Sequence, residues 1–321
     1  MLIAGSQDGV YAVKGLFDGS DVTAERVLDG AATMRVRQFD GVSGVFAATV
    51  TGLYHSPDGS EWRDLGVPTR KVYSVGWSPA GTLYAGTRPA AVYATDAESG
   101  ELPESLDWRE LEGFQELPSR DDWRLPRHDD LAQVRDVYVH PDAPDQVVAG
   151  VEVGGVHVSE DGGETWTERD AGVHDDVHEL RVLGPSEFVA ATGYGLYRTT
   201  DAGRSWTRLE DAHDQRYVRS LFAHEGDAYA GAALAHTSTW VEDDADPALF
   251  ASRDGAPAEA VDHPRPGETI TGMTAVEGDV VAATHEGTLL LEGADGWTVA
   301  GSLPVDRQLE SSYTPLAWVA E

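Results

Sequence analysis

The chain has no cysteine, which excludes disulfides, thiolate nucleophiles and cysteine-held zinc. Lysine is almost missing too: Lys14 and Lys71 are the whole complement, and every other basic side chain is arginine. Positive charge is scarce altogether, with 23 Lys and Arg against 56 Asp and Glu, a formal net charge of −33. So acidic a chain lacks the basic footprint that nucleic acid or an anionic membrane requires, and neither partner is expected. No apolar run approaches the roughly 18 residues of a membrane span. Met1–Val13 carries no charged start and no apolar stretch long enough for export, and reads as two strands around a Gln-Asp-Gly turn. A cytoplasmic protein is the expectation. Acidic surplus with so little lysine resembles halophilic composition, in which hydrated carboxylates keep a protein dispersed where salt screens ordinary charge.

What is present is a repeated phrase. Ser56-Pro-Asp-Gly-Ser-Glu-Trp62, Ser159-Glu-Asp-Gly-Gly-Glu-Thr-Trp166 and Thr199-Thr-Asp-Ala-Gly-Arg-Ser-Trp206 each follow one β-rich run and open another. Ser or Thr starts such a turn by bonding the backbone, Asp accepts loop N–H groups, and Gly supplies positive φ. The closing Trp anchors the turn on the sheet. The phrase resembles the Asp-box, or BNR, repeat of sialidase-like β-propellers (S-x-D-x-G-x-T-W), with Asp58, Trp62, Asp161, Trp166, Asp201 and Trp206 in the matching positions. More broadly the chain is similar to WD40/YVTN/BNR-like propeller proteins.

Around each phrase the pattern is four short strands every 40 to 50 residues, the sequence form of a propeller blade. Six complete copies occupy 31–67, 68–114, 115–173, 174–213, 214–265 and 266–304. The N-terminus offers only second, third and fourth strands, and Thr314–Val319 reads as a lone first strand. Pairing 305–321 with 1–30 gives an all-β, seven-bladed propeller as one domain over 1–321, closed without exposed edges. Six blades with differently paired termini is the alternative. Two insertions, Gly113–Leu131 and Leu234–Pro247, are too long to be simple connections and carry Trp, Arg and His.

The resemblance implies that the Asp-box turns are staples on an outer rim and that ligands sit at the opposite face. Superposing the first strands on a shared V-x-x-V/L pattern puts Arg37, Tyr73, Arg135, His178, Arg219, Thr271 and Thr314 at one level of the channel mouth. Converging guanidiniums recognise carboxylate, phosphate or sulfate. The alternative is that each arginine pairs with a nearby acid, such as Asp136, Glu179 or Asp40, and fills the channel. Facing loops add Gln7, Asp8, Thr51, Arg88, Glu152, Tyr194, His236, Trp240, His285 and Glu286. His128–Asp130 and His174–Asp176 repeat a His-Asp-Asp triplet that could ligate a metal, although acidic loops are more often simply solvated. No metal or cofactor is expected.

Two functions follow. One is a noncatalytic binding or scaffold propeller taking an anionic small molecule or an acidic peptide at its mouth. The other, a glycosidase-type hydrolase directed at sialosides or uronides, is what the sialidase resemblance implies. Arg37, Arg135 and Arg219 would then form an arginine triad, Tyr73 or Tyr194 the nucleophile, Glu152 or Glu286 its base, and Asp8 the acid. The Arg-Ile-Pro of that family is missing; Arg124-Leu-Pro126, inside an insertion, is the nearest approach. Binding is the favoured reading, because fold alone does not choose a chemistry.

Overall fold

Runs such as Val134–Val139 and Val147–Gly150 are rich in β-branched residues, which favour the extended backbone, and Gly-containing turns separate them. In the computed structural model they form seven four-stranded antiparallel sheets. It describes residues 1–16, 21–30, 32–97, 100, 102–209, 213–240, 245–304 and 313–319.

Blade one joins the chain ends: Leu316–Trp318 is its first strand and Leu2–Gly5 its second, with Leu2 opposite Trp318 and Ala4 opposite Leu316. The Met1 amino group also donates to the Val319 carbonyl at 2.7 Å. Blades two to seven begin with Thr33–Phe39, Val72–Ser78, Gln133–His140, Val177–Gly184, Tyr217–His224 and Ile270–Val276. Each first strand packs against the first strands of both neighbours, so the seven enclose a central channel. Seven blades therefore replace the six-bladed alternative. Part of the second insertion, 241–244, and the segment 305–312 lie outside the described residues.

The core is divided in the same way. Seven apolar clusters each fill one space between adjacent blades, for instance Phe188, Leu180, Tyr197 and Trp206 against Val148, Val156 and Val158. Second strands end in small pairs such as Ala47-Ala48, Ala149-Gly150 and Ala282-Ala283, where blades converge on the axis and little volume remains. On a first strand Gly272 meets the same crowding: a Cβ there would lie 1.7 Å from the Thr314 carbonyl oxygen of the next blade.

The repeated turns are hydrogen-bonded as their residues require. Ser159 Oγ accepts from the Gly163 N–H at 2.8 Å, and Asp161 accepts from the Thr165 N–H at 2.9 Å and its hydroxyl at 2.6 Å. Gly163 sits at φ +99°, in the left-handed region that glycine tolerates. The copies at Asp58 and Asp201 repeat the Asp-to-hydroxyl bonds, to Ser60 and Ser205, each at 2.7 Å. Trp166 and Trp206 donate their indole N–H to the Gly163 and Arg169 carbonyls, whereas the buried Trp62 N–H has no partner among the described residues.

Candidate functional site

Six first strands share an irregularity. The pairing register slips between Thr33 and Arg35, Val72 and Ser74, Val134 and Asp136, Val177 and Glu179, Val218 and Ser220, and Ile270 and Gly272. A bulge leaves one residue unpaired and re-aims its side chain. The bulged residues are Met34, Tyr73, Arg135, His178, Arg219 and Thr271, five of them the ones the sequence pattern singles out. Blade two is the correction: its pattern is Thr33-Met34-Arg35-Val36, with Thr33 in the place of valine. Reading Val36 as the start shifts the register by three residues and wrongly selects Arg37.

A cavity of about 280 Å³ opens at this level. Arg135, Arg219, Tyr73 and Tyr313 form its floor and wall; Ala32, Met34 and Val50 line one side. Gln7, Gln133, Glu152 and Tyr217 complete it from strand ends and loops, with Arg127, His128, His236 and Thr237 contributed by the two insertions. Each insertion is anchored by a tryptophan. Trp123 is buried against Phe114, and Trp240 against Tyr217 and Ala245.

Arg135 and Arg219 define the electrostatics. Arg135 is 2% exposed and Arg219 7%, and their guanidinium carbons lie 4.1 and 3.6 Å from the centroid of the Tyr313 ring. Arg135 reaches Glu152 and the His178 carbonyl only at 3.5 Å, and its Nη2 has no hydrogen-bond partner among the described residues. Arg219 has no acid partner among the described residues, and its Nε is likewise unpaired. Burial depresses both guanidiniums, Arg135 to about 9 despite Glu152 pulling the other way. Glu152 is already engaged by Arg127 at 2.6 Å and by the Gln133 amide. Burial would raise the Glu152 pKa, but Arg135 above all outweighs it and holds the carboxylate ionised. His128 and His236 are lowered, first by burial and then by nearby arginines, so both are neutral at pH 7.

One residue deeper on the same strands the chemistry reverses. Arg35 crosses the channel to Asp136, Nε to Oδ1 at 3.1 Å, and Arg37 adds a 2.9 Å contact to the same carboxylate. Asp136 also accepts from the Leu180 N–H at 2.8 Å, and Glu179 accepts from Arg181 at 2.6 Å and from the Leu221 N–H at 2.7 Å. Burial alone would raise Asp136, yet Arg35 and Arg37 hold it well below the carboxylate range.

The remaining expected site residues lie elsewhere. His178 is fully buried behind the wall, its Nδ1 on the Val218 carbonyl at 2.8 Å and its ring 4.7 Å from that of Tyr217. Thr271 and Thr314 bond to each other inside the ring, and Tyr313 rather than Thr314 reaches the cavity. Arg88 covers Tyr73 from outside and donates to Gln133 at 3.3 Å. Asp8 is occupied by Ser6, Tyr11 and Arg26. Tyr194 is 49% exposed and held by Arg216. His285 accepts from the Thr269 N–H and packs on Trp240, and Glu286 is exposed. Thus Glu152 is the one carboxylate among the described cavity residues, and no three potential metal ligands cluster among the described residues. Tyr217, Tyr313, Gln133, Arg127 and Met34 were missed; Gln133 and Tyr217 both stand two residues before a bulged arginine, a signal the alignment could have supplied.

No protein-family model matches the chain, and no curated protein matches it. Solved structures do. The GH74 enzyme of Niastella koreensis aligns with a TM-score of 0.61 at 13% identity, over 84% of this chain and 45% of the enzyme. The WD40 propeller domain of Doa1 aligns with a TM-score of 0.60 at 13% identity, over 94% and 88% of the two chains. YCF48, solved bound to D1 peptide, aligns with a TM-score of 0.56 at 16% identity, over 84% and 82%. The chain thus spans less than half of the GH74 enzyme. At these identities the likeness is one of fold: a WD40-like and GH74-like β-propeller. Among the described residues no helix is long and apolar enough to cross a membrane.

Proposed function

We propose that this propeller binds an anionic small molecule, or an acidic group of a peptide, at the channel mouth, in a binding or scaffold role. The observation behind the reading is Arg219: a buried guanidinium facing a cavity, with no acid partner among the described residues of a chain rich in acids. An uncompensated buried charge costs several kcal/mol, which an entering anion offsets. Thermal-shift titration with carboxylates, phosphate and sulfate tests it. The expected result is a concentration-dependent rise in Tm that disappears in Arg219→Met and weakens in Arg135→Met. A rise that survives both substitutions refutes the site.

The hydrolase reading keeps one favourable observation, Glu152 in contact with Arg135 beside Tyr73. Its assay is release of fluorophore from sialosides and uronides in molar salt. Activity abolished by Glu152→Gln would establish it over binding alone. We also read the acidic surface as an adaptation to a salt-rich cytoplasm, testable as a Tm that climbs with potassium chloride.

A further inference from the structure

The anion site has a second side that its charge does not explain. Ala32, Met34, Val50, Tyr73 and Tyr313 pack together as one apolar cluster and all line the cavity. Met34 occupies the bulged position that holds arginine in blades four and six. At one level of the ring, then, blade two contributes a thioether where blades four and six contribute guanidiniums. The tyrosines work for both halves: their ring faces carry Arg135 and Arg219, while the rings also belong to the apolar cluster.

Resting on the anion-site reading, we infer that the occupant is an amphipathic carboxylate: a carboxylate head on the arginines and an apolar body against Met34, Val50 and the two tyrosines. A phosphate or a hydrophilic sugar acid leaves Ala32, Met34 and Val50 unused, since aliphatic and thioether side chains offer hydroxyl groups no strong partner. Size agrees. The cavity, about 280 Å³, is nearly twice the ~150 Å³ space known to take benzene. It admits a six-membered ring or a short aliphatic chain together with its carboxylate. Met34 suits such a role, being flexible enough to fit bodies of different outline.

The experiment is calorimetric titration of the full chain with a homologous series, acetate, butyrate, hexanoate and octanoate, with benzoate, gluconate and inorganic phosphate beside it. The expected result is tightening of about fourfold per methylene, the worth of burying one CH₂, until the cavity is full. Benzoate should then exceed gluconate and phosphate by more than tenfold. Met34→Gln, which keeps the side-chain length, should flatten the series, lowering the ratio of octanoate to acetate affinity. Arg219→Met should remove binding of the whole panel. A flat series in the parent protein, or gluconate or phosphate binding as well as benzoate, overturns the amphipathic occupant and leaves the anion site standing. Failure of every anion to bind, or binding unaffected by Arg219→Met, defeats both readings together.

Discussion

Two layers of the channel, one residue apart on the same strands, handle arginine in opposite ways. In the deeper layer Arg35 and Arg37 share Asp136, and Arg181 has Glu179; each acid also accepts a backbone N–H from the next blade. In the upper layer Arg135 has only a distant share of Glu152, and Arg219 has an aromatic face in place of an acid. In the deeper layer every one of these arginines meets an acid, and the pairs tie blades together. The upper one is left incomplete, in the one place where a cavity adjoins it. Burial by itself therefore says little about an arginine's role, and the presence or absence of a counter-charge decides it.

The largest expected effect lies in the deeper layer. Asp136→Ala leaves buried Arg35 and half-buried Arg37 without their shared acid, a change expected to cost about 3–5 kcal/mol in denaturant unfolding. The same residue sets the acid limit. Its folded pKa is below the ordinary carboxylate value, so its stabilisation is complete above that ordinary value and is lost as pH falls through the depressed one. Asp136→Asn should accordingly flatten the loss of stability on acidification. The upper layer should behave in the reverse sense. Arg219→Met, removing an unpaired buried charge, is expected to leave anion-free stability unchanged or raised by roughly 1–4 kcal/mol. A loss as large as that of Asp136→Ala would erase the distinction between the layers.

Glu152→Gln sharpens the comparison further. It removes the one carboxylate competing for Arg135, and should tighten anion binding by roughly tenfold in calorimetry, as expected for a like charge withdrawn at close range. Anion affinity should also stay level from pH 7 upward to about pH 8, because burial and nearby arginines hold His128 and His236 below the ordinary imidazole value. The smallest effect belongs to the rim. Asp161→Ala breaks the turn's bonds to Thr165 and should lower Tm by a few degrees at most, with anion binding untouched.

Much of the fold was legible because propeller blades are local: each turn phrase, strand and small-residue pair lies within some fifty residues and repeats. Closure was legible too, since a lone first strand at one end matched a blade lacking one at the other. The site was harder. The bulged position could be read in blades three to seven from the V-x-x-V/L pattern, and it failed in blade two because Thr33 replaces valine with a residue of similar shape. Trp240 and His285, plausible as mouth residues by loop position, pack instead as the anchor of an insertion. Nothing local distinguishes an inserted tryptophan that holds a loop down from one that meets a ligand.

By itself the sequence determined the repeated blades and, outside blade two, the level at which side chains turn into the channel, because these depend on short-range patterns; the structure settled seven blades over six. Only the tertiary structure decided which arginines are satisfied. Arg35 and Asp136 are 101 residues apart, and Coulomb attraction depends on distance in space, which the ring sets and the order of residues does not.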